Sequence, residues 1–129
     1  MNSRNVRPPG PSKSRTGRNP ADRHIDRERS LKTAIVGYIS GLAFQLAGRG
    51  VRANVVSPGN TYFEGGVWQQ IEQGDPDLYT LAMGLNPTGR MGTPMDSARA
   101  VVFLSSPLSS RTTGTHLVVD GGLTRGIQL

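Results

Sequence analysis

The stretch VRANVVSPG, residues 51–59, is short, rich in β-branched side chains and closed by Pro58-Gly59. It reads as a mostly buried strand over residues 51–57 that runs into a loop. Ahead of it, Leu31, Ile35, Tyr38, Leu42 and Leu46 recur at helical spacing with Ala34, Ala43 and Ala47 between them, and Gly48 and Gly50 end the run. That pattern predicts an amphipathic helix from Leu31. Beyond the strand, residues 59–92 are glycine-rich and mixed, a long functional loop with helical turns expected around 67–73 and 76–83. Thr93-Pro94-Met95-Asp96 then supplies a capping residue, a first-turn proline and an acid ahead of Ala98, Val101, Val102 and Leu104, so a helix starts there. Pro107 ends it. HLVVD, residues 116–120, is a second buried strand cut off by Gly121-Gly122. Helix, strand, loop plus helix, strand is a βαβ crossover with an extra helix in front, an α/β arrangement with two parallel strands. Parallel strands occur buried within larger sheets, so the outer edge of residues 51–57 lacks a neighbour in this sequence.

The 129 residues leave room for one domain of ordinary size. The formal charge of +6 is uneven: Met1 to Ser30 holds eight Lys/Arg against three acids, and Leu31 to Leu129 seven against six. Residues 1–30 also carry four prolines and only Met1, Val6, Ala21 and Ile25 as apolar members, which cannot offset the entropy of ordering a backbone. We read them as a disordered Arg/Pro-rich head, and residues 31–129 as the folded part. The arginines invite a nucleic-acid reading, but no aromatic is present to stack on bases and no reader module is evident, so that reading is the weaker one. His24, Asp26 and Glu28 alternate with Arg23, Arg27 and Arg29, the pattern of a solvated charge run rather than a metal site. With no cysteine, thiolate zinc sites, disulfides and cysteine nucleophiles are excluded. No apolar stretch approaches a membrane span and no secretory signal is evident, so the expectation is a cytoplasmic protein with no membrane partner.

Gly89-Arg90-Met91-Gly92-Thr93-Pro94, then Ala98, Val101, Phe103-Leu104, Ser106, Thr113-Gly114 and Leu117-Val118-Val119-Asp120-Gly121-Gly122, resemble the C-terminal portion of the short-chain dehydrogenase/reductase family. A second stretch, from Lys32 through Leu42-Ala43 and Leu46-Ala47 to Gly50-Val51-Arg52, Asn54 and Ser57-Pro58-Gly59, is similar to the helix and strand that follow the family's active-site Tyr-x-x-x-Lys. The resemblance covers residues 31–129 and implies a partial Rossmann-type domain, since complete members run about twice this length. It implies hydride transfer between NAD or NADP and a small-molecule carbonyl or alcohol.

Carried over residue by residue, the resemblance makes Lys32 the catalytic lysine that binds the nicotinamide ribose. It places Pro58 and Gly59 in the turn beside the nicotinamide, and Thr61 where a backbone group meets the carboxamide. The tyrosine position is Glu28, whose reference pKa of about 4.3 leaves it ionised at neutral pH and unable to donate a proton. Tyr38 cannot replace it, because ten helical residues span about 15 Å. A threonine common five residues after the proline is Phe63 here. No glycine-rich strand-to-helix turn offers backbone N–H groups to a pyrophosphate, so this chain alone is expected to bind dinucleotide poorly and to lack turnover. Residues 62–68 lie where the family builds its substrate wall, although ordinary loop packing explains them as well. Gly37-x-x-x-Gly41 permits close helix contact, and the equivalent family helix lies at a subunit interface, which implies a homo-oligomer or self-association. The composition break near residue 30 is what a misassigned start joined to the tail of an authentic reductase would leave. A genuine short variant with its own basic head is the rival reading, and a noncatalytic fragment that pairs with another subunit is the alternative to an enzyme.

Overall fold

A computed structural model describes residues 20–125. Two units divide the chain, residues 1–32 and 33–129, and the second holds both strands. The elements in order are α1 (Pro20–Ala47), β1 (Val55–Pro58), α2 (Val67–Gly74), α3 (Pro76–Leu85), α4 (Pro94–Ser105), a single 3-10 turn (Pro107–Ser109) and β2 (His116–Val119). This is the expected α/β arrangement: β1 and β2 form a two-stranded parallel sheet, with Val55 opposite His116 and Pro58 opposite Val119. α4 packs on both strands.

α1 begins at Pro20, so residues 20–30, expected to be unstructured, are helical. The rest of the head lies outside the described residues. The inner stripe of α1 also differs from the expected one. Leu31, Ile35 and Tyr38 are exposed, while Val36, Ile39, Leu42 and Leu46 are half-buried and Ala43 is 2% exposed. The shift follows from Gly114, whose φ of +73° lets its loop close on α1: a Cβ there would lie 3.4 Å from that of Ala43.

The first strand is shorter than expected: residues 51–54 are held mainly by side chains, beside backbone hydrogen bonds from Gly114 N to Ala53 O and from Val51 N to Leu46 O. Arg52 donates to the carbonyls of Thr112 and Ser106, at 3.1 and 3.2 Å. Asn54 donates to Thr112 O and accepts from Thr115 N, and Thr113 Oγ1 accepts from Ala53 N. Neither strand holds a buried residue: Pro58 and His116 are exposed and the other strand residues are half-buried. α4 carries the expected start: Thr93 Oγ1 accepts from Asp96 N while Asp96 Oδ2 accepts from Thr93 N, a reciprocal capping box. Ser109, 2% exposed, closes the other end by donating to Leu104 O. Among the described residues the buried apolar side chains are few: two alanines, Ala43 and Ala82, with Met91 and Leu104.

Candidate functional site

The carboxyl ends of β1 and β2 are locked together. Gly59 donates its backbone N–H to Val119 O at 2.9 Å, and a Cβ on Gly59 would stand 2.5 Å from Asp120 Cβ. Only glycine fits there. Asp120 in turn folds the glycine pair after it, Oδ1 accepting from Gly122 N at 2.9 Å and Oδ2 from Thr124 N at 2.8 Å. The hydrogen bonds from Thr124 and Gly122 hold the Asp120 carboxyl below the usual carboxylate range. Gly121 and Gly122 have φ of +67° and +83°, which favours glycine, and Gly121 sits against Thr88.

Immediately after Gly59 the chain is clasped to the Gly89–Gly92 segment. Asn60 O accepts from Gly92 N, and Gly92 O accepts from Tyr62 N, both at 2.8 Å, with Thr61 bridged in parallel to Gly92. In such a bridge the middle residue turns its own N–H and C=O to the opposite side. The backbone of Thr61 therefore has a donor and an acceptor with no partner among the described residues, while its hydroxyl donates to Gly59 O at 3.0 Å. Pro58, Gly59 and Thr61 thus form one turn at the carboxyl edge of the sheet, the edge where open α/β sheets bind ligands. A cleft of about 170 Å³ opens beside it, lined by Asn86, Thr88, Arg90, Asp96, Val119 and Asp120 among others.

Lys32 belongs to the first unit, on α1, one helical turn after Glu28. The structure thus brings together Pro58, Gly59 and Thr61 of the expected site residues. Tyr62, which sequence reasoning left undecided between substrate wall and packing, is anchored twice. Its hydroxyl donates to Glu72 on α2, and its ring meets Tyr79 of α3 edge-on, with centroids 6.1 Å apart. The hydrogen bond to Glu72 raises the Tyr62 phenol above the ordinary tyrosine range, so it holds its proton firmly and is a poor general acid. Among the described residues no cluster of His, Asp or Glu could hold a metal ion. No helix among them is long and apolar enough to cross a membrane.

The local pattern of the sequence does not reveal the roles of Asp120 and Asn86 at the sheet end. Asn86 is buried, accepts from both N and Oγ1 of Thr88, and with Thr88 packs against Gly121. The signal available was Asn86-Pro87-Thr88-Gly89, a turn composition that marks a loop but not its distant partner.

Residues 27–124 match the family model described as enoyl-(acyl carrier protein) reductase. Isoepoxydon dehydrogenase patN of Aspergillus clavatus is 36% identical over 97 residues, covering 75% of this chain and 38% of its own. 2-(S)-Hydroxypropyl-CoM dehydrogenase 3 of Xanthobacter autotrophicus is 42% identical over 97 residues, covering 74% and 38%. Among solved structures, the NADPH-bound short-chain oxidoreductase of Pseudomonas aeruginosa PAO1 containing an atypical catalytic center superimposes with a TM-score of 0.67. It is 36% identical and covers 76% of this chain and 38% of its own. The chain spans well under half the length of these relatives.

Proposed function

Because this chain belongs to the short-chain dehydrogenase/reductase family, we propose that it supplies the nicotinamide and substrate end of an NAD(P)-dependent hydride transfer between a carbonyl and an alcohol. The observation that carries this reading is the Pro58-Gly59-Asn60-Thr61 turn, where the Gly59–Asp120 lock sets the end of the sheet and the clasp to Gly92 leaves the Thr61 backbone donor and acceptor without a partner among the described residues. A carboxamide has the complementary acceptor and donor. Thr61 would hold that group, Pro58 and Gly59 would line the nicotinamide, and Lys32 would bind its ribose. The bound nicotinamide supplies the hydride chemistry; the chain's own residues orient it.

The same residues do not provide for the pyrophosphate, since no glycine-rich strand-to-helix turn occurs in the sequence, and Glu28 at the tyrosine position cannot donate a proton. We therefore propose that the 129 residues alone bind dinucleotide weakly and do not turn over. Calorimetric titration with NADPH, followed by an assay with a carbonyl substrate, is the test. Joining residues 31–129 to the cofactor half of a related reductase that restores the tyrosine should give hydride transfer that disappears with Lys32→Ala. Turnover by the native chain that is lost with Lys32→Ala would sink the inactive reading. A joined protein that folds but ignores Lys32 would sink the assignment of the site.

A second reading is favoured by the exposed apolar side chains of α1, where Tyr38 is 68% and Phe44 88% exposed. On that reading α1 pairs with another subunit, and sedimentation of the purified chain would show a dimer or larger species that dissociates with Tyr38→Lys.

A further inference from the structure

The amino ends of β1 and β2 lie at the other end of the strands from the Pro58–Thr61 turn, and they carry positive charge with no acid to balance it. After Glu28 the sequence holds no acid until Glu64, and it holds none between Asp96 and Asp120. Those two stretches supply the segments that lead into the strands, and with them Arg49, Arg52 and Arg111. Between the segments lies a cavity of about 610 Å³, within the range of small-molecule sites. Arg52, Arg111, Ser105 and Ser110 line it, and Val51 and Pro107 add apolar wall.

Helices α1 and α4 both end here, and the last carbonyls of a helix carry partial negative charge, so basic residues are expected at this end. That accounts for Arg52, which donates to the carbonyls of Ser106, the C-cap of α4, and of Thr112. The two bonds fix its planar fork and leave the other N–H groups of the guanidinium free for a ligand. It does not account for Arg111, which is exposed and has no side-chain partner among the described residues. The hydroxyls of Ser105 and Ser110 have none either. Two guanidinium groups and two hydroxyl donors, with no carboxylate among them and apolar carbon alongside, complement a doubly charged oxyanion on an organic body. A phosphate monoester, with a charge of about −1.5 to −2 at pH 7, meets that description better than a carboxylate.

We propose that this cavity binds a phosphate monoester with an apolar body, Arg52 and Arg111 holding the phosphate while Val51 and Pro107 flank the body. The site shares no residue with the Pro58–Thr61 turn, and it does not depend on the reading of that turn as a carbonyl/alcohol site.

Calorimetric titration of the full chain with hexyl phosphate, at low salt and without nucleotide, is the test. Hexyl phosphate should bind, and hexanoate, of similar length but singly charged, should bind roughly tenfold more weakly. Arg111→Ala should weaken hexyl phosphate by about tenfold or more, the worth of one charge-assisted hydrogen bond, whereas Arg125→Ala, an equal loss of charge beyond the other end of β2, should change it by less than about twofold. Both arginines are exposed, so neither change threatens the fold. Ser110→Glu, which puts a carboxylate into the cavity, should abolish binding. Sedimentation with phosphatidylcholine vesicles that contain phosphatidate tells two sources of such a group apart. Retention on them that Arg111→Ala abolishes assigns a lipid head group, and hexyl phosphate binding without retention assigns a soluble ester. No binding of hexyl phosphate, hexanoate binding as tightly, or equal losses with Arg111→Ala and Arg125→Ala would each overturn the proposal.

Discussion

At Gly59 one methyl group separates a closed sheet end from a sprung one. The Cβ of Gly59→Ala would meet both Asp120 Cβ at 2.5 Å and Asp120 Cα at 2.7 Å, and backbone cannot step aside as a flexible side chain can. We expect Gly59→Ala to lower stability by about 1–3 kcal/mol in chemical denaturation, the usual cost of overpacking. Gly37→Ala is the control: nothing lies within 4 Å of its added Cβ, and in a helix the change should stabilise by up to about 1 kcal/mol. Asp96 gives the residue-scale prediction in pH. Its pKa is lowered to about 2, first by the backbone hydrogen bond from Thr93 and then by the hydrogen bond from Arg90. A carboxyl whose folded pKa is depressed contributes stability fully above its unfolded value, about 3.9, and loses it as pH falls toward 2. Thermal melts between pH 5 and 2 should therefore show an acid-side loss that Asp96→Asn flattens.

Among the elements, α4 depends most visibly on a local signal. Thr93→Ala removes the acceptor for Asp96 N and should cost about 1 kcal/mol, read as a lower denaturation midpoint. This helix start was legible in the sequence because Thr93, Pro94 and Asp96 act within one turn of one another. The helices at 67–74 and 76–85 were legible as helical turns for a similar reason, Asp75 capping and Pro76 opening the second. Strand length was not legible. Whether residues 51–54 join a ladder is decided by Arg52 and Asn54 reaching carbonyls 54 to 60 positions away, which no local pattern encodes. The inner face of α1 was misread for a related reason: two apolar stripes run along the helix, and the loop at Gly114 chooses between them. Of the site, Pro58-Gly59 was visible as a turn. Its mate Asp120 was not, because their contact exists only once both strands are in register.

Across the whole molecule, apolar surface exceeds what the chain covers. Leu31, Ile35, Tyr38 and Phe44 of α1, Val101, Val102 and Phe103 of α4, and the leucines of α3 all lie open, against four buried apolar side chains among the described residues, Ala43, Ala82, Met91 and Leu104. Exposed apolar area of this order marks an interface or an aggregation site. The purified chain should bind hydrophobic dye, self-associate in sedimentation and melt over a broad range; a sharp two-state melt from a dye-free monomer would count against an open core. The free edge of β1 is only partly able to recruit another strand, since Pro58 has no N–H to offer and the ladder would stop there.

The clasp from Asn60 and Tyr62 to Gly92 has a consequence for how such a chain changes over time. The clasp is made by backbone hydrogen bonds that no side chain specifies, so residues 63–85, which lie between Tyr62 and the Asn86–Thr88 turn packed on Gly121, behave as an exchangeable cassette. A graft from another protein with the same end-to-end span can be inserted there without disturbing strand register, because closing a loop costs only slowly more as it lengthens. New ligand preferences can then be acquired by replacing one contiguous block, while the paired strands and the glycine at 59 stay as they are.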